Sequence, residues 1–182
     1  MLGSGRVCVI GGNHDHWLEK LATDEVQALM PNSVYLRDRT VEICGLQIHG
    51  SPFSRGKSHN AAFQPGNPRN SNTRLGARQP SAPGACIGDG VDSCDILMTH
   101  GQPLSSPLIP GGLKRQGENP EDSFPAPTML HAFGHIHWAY GAAVAADGTV
   151  HACASVMADA YRPTNGPIVV DLTSKSTRLH PQ

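Results

Sequence analysis

Apolar residues along the chain gather in short β-type runs that alternate with loops and a few helical stretches. The runs predict strands over Arg6–Ile10, Val41–Ile43, Leu46–His49, Asp95–Met98, Leu130–Phe133, Thr149–Ala152 and Ile168–Leu172. Between Trp17 and Met30, apolar residues at Leu18, Leu21, Ala22, Val26, Leu29 and Met30 follow a helical period, with Thr23-Asp24-Glu25 supplying a second N-cap inside it. Pro31-Asn32 closes that helix. Strands interleaved with a helical stretch are the pattern of an α/β protein.

Two long segments break the pattern. Residues 55–92 are dense in Gly, Pro, Asn and Ser and poor in branched apolar residues. Such a stretch buries too little surface to offset chain ordering, so it is expected as a surface loop with one helical turn near Ala61-Ala62-Phe63. Pro103–Pro127 is a smaller loop of the same kind. At 182 residues the chain is expected to form one domain, 1–182, with a sizeable core. No internal repeat is present.

Three of the apolar runs end alike. Val7–Ile10 leads into Gly11-Gly12-Asn13-His14-Asp15, Ile96–Met98 into Thr99-His100-Gly101, and Leu130–Phe133 into Gly134-His135-Ile136-His137. Each is a buried strand delivering ligand-type side chains at its C-terminal end, the edge where open α/β sheets bind ligands. Adjacent glycines let the backbone turn sharply and bring an imidazole close to a small target. Asn13, His14, His100, His135 and His137 are therefore expected to meet in one crevice. Imidazole nitrogens and an amide oxygen suit Mn, Fe or Zn better than Ca or Mg, and a His-x-His pair can address two neighbouring ions that clamp a phosphoryl group.

Charge narrows the partners. Lys and Arg number 14 against 15 Asp and Glu, with no basic run, which argues against affinity for nucleic-acid phosphates. No apolar run approaches the roughly 20 residues of a membrane span, and Met1–Ile10 lacks the make-up of a signal peptide, so a soluble, cytoplasmic protein is expected. Five cysteines at irregular spacing, without a CxxC pair, are expected to be reduced.

GGNHD at 11–15, THG at 99–101 and GHIH at 134–137, in this order, resemble the calcineurin-like metallophosphoesterase superfamily, whose later motifs are GNH(D/E), (G/T)H and GHxH. YLRD at 35–38, IHGSPF at 48–53, DILMTHGQP at 95–103, HAFGHIHWAYG at 131–141 and YRPTNGPIVVDL at 161–172 are each similar to stretches of its metallophosphoesterase-domain-containing branch. The resemblance implies a sandwich of two mixed β-sheets flanked by helices. It implies that Asn13, His100 and His135 hold one divalent ion, that His137 holds its neighbour, and that His14 is the general acid. The implied activity is hydrolysis of phosphate esters, with nucleotide and cyclic nucleotide phosphodiesters among the substrates.

The family also carries a DxH and a GDxxD motif upstream of GNHD, which supply further ligands and the bridging carboxylate. Ten residues precede Gly11, and no Asp in the chain has His two positions later. Gly88-Asp89-Gly90-Val91-Asp92 fits GDxxD only as a string, in the wrong place. The expectation is an N-terminally truncated member lacking the first strand-helix portion, with two divalent ions in the family and a mononuclear site left open here. The alternative to an enzyme is an inactive relative that binds a metal or nucleotide. His16, His49, His59, His131, His151 and His180 are expected to be surface or packing residues. Asp15 is expected to order its loop rather than bind metal. Trp138 and Tyr140 are equally readable as base-stacking or as rim aromatics.

Overall fold

The computed structural model describes residues 6–54, 58–64, 67–70, 94–101, 106–109, 128–173 and 176–179. The chain opens with β1 (Val7–Val9), passes through α1 (His16–Lys20) and α2 (Thr23–Leu29), and returns as β2 (Ser33–Tyr35), parallel to β1. The helical stretch divides in two, as a second N-cap inside it implies, though one residue earlier than Thr23. Leu21 and Ala22 are extended, and the Ala22 N–H donates to the Glu25 carboxylate at 2.7 Å, so the second N-cap is Ala22 and Thr23 is already helical. Gln27 then ties α2 to β2: its amide donates to the carbonyls of Met30 and Ser33, and its carbonyl accepts from the Tyr35 N–H.

A six-stranded mixed sheet follows. β3 (Arg39–Ile43) and β4 (Leu46–Ser51) form a hairpin whose two-residue turn, Cys44-Gly45, has both residues at positive φ, as right-handed strand twist favours. β4, β5 (Ile96–Thr99), β6 (Leu130–Phe133) and β8 (Val150–Cys153) run parallel, and β7 (Gly141–Val144) pairs antiparallel to β8 at the edge. The order is β3-β4-β5-β6-β8-β7. β9 (Val170–Thr173) and β10 (Ser176–Leu179) make a separate antiparallel pair.

The architecture is mixed β-sheets with few helices. Strand starts differ from expectation where polar residues take over the ladder: Asp95 uses its carboxylate to accept the Gln47 N–H and its carbonyl to accept from Met129 and Leu130, so β5 begins one residue later. β2, β7 and β10 are too short, or too rich in small or polar residues, to show alternation. Where the chain leaves β1 and β2 it presses against β4. A Cβ at Gly50 would lie 2.4 Å from the Leu36 Cβ and 2.9 Å from the Ile10 Cγ2, so only glycine permits this approach.

The expected surface loop is a correction over its described part. Ala61, Ala62, Phe63, Gln64, Asn67 and Asn70 are all buried. Burial is possible because the amides satisfy one another and their neighbours: Asn67 donates to the Gln64 side chain and the Ser58 carbonyl, Gln64 to Ser54, and Asn70 to Glu19. Likewise, Leu108 and Ile109 from the second loop pack with Phe133, Ile136, Ala139 and Cys153.

Three expected packing histidines sit inside the sheet. His49 and His131 both register against Leu97, and His131 against His151, placing one buried row on one face. His16 and His59 are exposed, and His180 and Gly88–Asp92 lie outside the described residues. Cys8, Cys44, Cys94 and Cys153 are free thiols. Among the described residues no helix is long and apolar enough to cross a membrane.

Candidate functional site

Three strand ends converge as their sequence suggests. β1 delivers Asn13, which is 2% exposed, β5 delivers His100, and β6 delivers His135 through Gly134. The His100 Nε2 lies 2.8 Å from the Asn13 Oδ1, and the rings of His100 and His135 stand 4.8 Å apart, tilted by 55°. His135 takes a positive φ of 68°, a conformation costly for a residue with a side chain, to present its ring there. Gly12 makes room: a Cβ on it would fall 2.5 Å from the His100 ring.

The surroundings fix these groups. The Asn13 Nδ2 donates to the Asn60 carbonyl at 3.0 Å and to the Ser58 Oγ at 3.2 Å, leaving Oδ1 turned to His100. Thr99 Oγ1 donates to the Gly101 carbonyl, so its 2.8 Å contact with His131 Nε2 is a bond that His131 donates, and this chain braces the turn carrying His100. Asp15 orders its loop as expected, accepting the Gly12 N–H at 2.7 Å. Burial, then the nearby His135 and His14, push the His100 imidazole down to about 4, so it is neutral at physiological pH.

His14 is exposed at the mouth, its Nε2 3.3 Å from the Asn60 side-chain nitrogen. His137 opens a 3-10 turn, His137–Ala139, and packs edge-on against Tyr161 at 4.8 Å. Among the described residues no three His, Cys, Asp or Glu side chains form a group able to hold an ion, so His137 does not complete a three-histidine set. Trp138 is 58% exposed beside it, while the Tyr140 hydroxyl donates to the Gly166 carbonyl.

The 2.8 Å contact is a hydrogen bond that the His100 Nε2–H donates to the Asn13 Oδ1. An amide oxygen and neutral imidazole match the chemistry expected of Mn, Fe or Zn. Sequence reasoning missed Ser58 and Asn60, which no motif marks. The only available signal was the Ser/Asn content of a loop between two strands that end at the site.

No family model matches the chain. Over 166 residues it is 37% identical to human metallophosphoesterase domain-containing protein 1, and the mouse protein of that name gives the same figures. The alignment takes in 82% of this chain and 43% of each relative, so the chain spans less than half the length of the curated proteins it matches.

Proposed function

The chain is a homologue of the metallophosphoesterase domain-containing proteins, and from that premise we propose that it hydrolyses phosphate esters with a divalent ion of the Mn, Fe or Zn type. The observation that carries this reading is the meeting of Asn13 Oδ1, His100 Nε2 and the His135 ring at the C-terminal ends of their strands. Asn13, His100 and His135 would hold the ion, with His137 available for a neighbour. When bound, such an ion polarises a phosphoryl oxygen and makes water a usable nucleophile near neutral pH.

The protein's own groups do the rest. Burial keeps His100 neutral, with its proton on the Nε2 that donates to the Asn13 Oδ1, so holding an ion through that nitrogen would need the other tautomer. Asn13 offers its oxygen because the loop engages its nitrogen. His14 would protonate the departing oxygen as general acid, a role its exposure beside them supports. The substrate class is a small phosphate mono- or diester, with nucleotide and cyclic nucleotide phosphodiesters among the candidates. The finer fold expectation, two sheets packed as a sandwich, is supported by the contact of Ile10 and Leu36 with Gly50.

The second reading is an inactive module that binds a metal or nucleotide. Hydrolysis of bis(p-nitrophenyl) phosphate with Mn²⁺, compared between the folded wild type and His100→Ala, separates the two. Turnover lost in the variant is expected; equal rates in both overturn the enzyme reading.

A further inference from the structure

We propose that Ser58 and Asn60 form a clasp on the adjacent pair Asn13 and His14, each a positioning residue for one of them; the idea rests on the phosphoesterase reading of the site. The two ends of a carboxamide are nearly alike in shape and opposite in chemistry, so an asparagine ligand works only if something distinguishes them. Here the Nδ2 of Asn13 is engaged by two acceptors, the Ser58 hydroxyl at 3.2 Å and the Asn60 carbonyl at 3.0 Å. Both belong to one short stretch, which the Asn60 N–H closes by donating to the same Ser58 hydroxyl at 3.2 Å. A flipped amide would aim N–H donors at the position of an ion, and the clasp prevents that.

The second grip is on His14. The Asn60 Nδ2 donates to the His14 Nε2 at 3.3 Å, which leaves Nδ1 as the nitrogen that carries the proton in the neutral ring.

The clasp is held by a buried anchor. The Ala62 N–H donates to the Asn13 carbonyl at 3.2 Å. Phe63 follows with no exposed surface, against Gly11, edge-on to Phe53 at 5.9 Å and under the Arg37 guanidinium at 5.2 Å. Its backbone sits at a positive φ of 52°, a strained conformation that such packing can maintain. Glu19 accepts from both the Phe63 N–H and the Asn70 side chain, fastening the stretch to α1.

The two grips are separable because Asn60 meets Asn13 through its backbone and His14 through its side chain. Mn²⁺ affinity by calorimetry and the His14 ring tautomer by long-range ¹H–¹⁵N NMR are measured on wild type, Ser58→Ala, Ser58→Thr and Asn60→Ala. Ser58→Ala is expected to bind Mn²⁺ about 10- to 100-fold more weakly, the usual loss for a group orienting a ligand. Ser58→Thr, which keeps the hydroxyl, restores it. Asn60→Ala keeps the Mn²⁺ affinity but shifts neutral His14 from the Nδ1–H to the ordinary Nε2–H tautomer. Wild-type affinity in Ser58→Ala, or an unchanged tautomer in Asn60→Ala, overturns the clasp. Loss of both readouts together in either variant shows a merely structural loop and also overturns it. A folded wild type that binds no Mn²⁺ overturns the functional reading along with the clasp, and is recognised because wild type and variants then fail alike.

Discussion

His100 and His131 belong to two neighbouring parallel strands, one just past the end of β5 and the other inside β6, and both are kept neutral. Burial is the leading cause in each, followed by a neighbouring histidine, and the imidazoles fall to about 4 and about 3. Depressed basicity therefore does not distinguish a site from a core. The partner does. His131 donates its Nε2 proton to Thr99, whose own proton goes to the Gly101 carbonyl, so its polar edge is committed to protein. His100, one residue past its strand, turns the corresponding nitrogen to another potential ligand atom, the Asn13 Oδ1. A strand interior ties the ring into the core as a strut, and a strand end brings it beside other ligand-type side chains.

Exchanging the same substitution between the two positions tests that division. His100→Ala is expected to lower Mn²⁺-dependent hydrolysis by more than the roughly 100-fold that loss of an outer partner costs, with little change in unfolding free energy. His131→Ala is expected to cost about 3 kcal/mol in denaturant unfolding, because it leaves a cavity and strips Thr99 of a donor. If His131→Ala is as stable as wild type, the strut has no structural role and the comparison breaks.

Two glycines sharpen it. A Cβ at Gly50 meets the Leu36 Cβ at 2.4 Å, and one at Gly12 meets the His100 ring at 2.5 Å. Gly50→Ala forces apart elements fixed near their backbones and should cost about 1–3 kcal/mol of stability. Gly12→Ala meets the end of a side chain that can swing away, so it should lose activity while remaining nearly as stable. Thermal melts beside turnover numbers decide. Equal melting losses in the two variants would show that the site is as rigidly packed as the core.

What the sequence disclosed follows the same division. Asn13, His100 and His135 were legible because each follows a glycine or threonine at the end of an apolar run, where periodicity stops and chemistry begins. His137 was legible as a motif, but its partner Tyr161 lies far along the chain, and only the fold shows their contact. Ser58 and Asn60 were hidden because composition treats Asn, Gln and Ser as solvent-seeking. Asn67, Gln64 and Asn70 instead find partners in Ser58, Ser54 and Glu19 and are buried. Interior strands were visible through β-branched and apolar runs, whereas β7, built of Gly, Ala and Val, carries almost no signal of its own.

Acid probes the strut without a cavity. The folded-state value of His131 lies below its unfolded one, near 6.5, so the unfolded chain binds the extra proton between those values. Stability is then fully present above about pH 6.5 and declines as pH falls toward 3. Between pH 6.5 and 5 this single group accounts for about 2 kcal/mol. His131→Gln keeps an amide donor where Nε2 stood and cannot take up that proton. Its unfolding free energy, followed by urea titration across this range, should fall less steeply than wild type; parallel curves would remove His131 as the acid-sensitive element.

The smallest effect is expected at a buried polar group that lacks what His131 has. Tyr35, the last residue of β2, is fully buried, and its hydroxyl has no hydrogen-bond partner among the described residues. Burial also pushes that hydroxyl above its ordinary value, with the nearby Arg37 opposing the shift and Asp15 adding to it. A hydroxyl removed from water without a partner costs stability, while the ring contributes through packing. Tyr35→Phe keeps the ring and deletes only the cost, so it should raise the unfolding free energy by up to about 1 kcal/mol. It should leave Mn²⁺-dependent turnover as it was. A loss of 1 kcal/mol or more would mean that the hydroxyl does have a partner in solution, and that Tyr35, like His131, is a strut whose polar edge is committed.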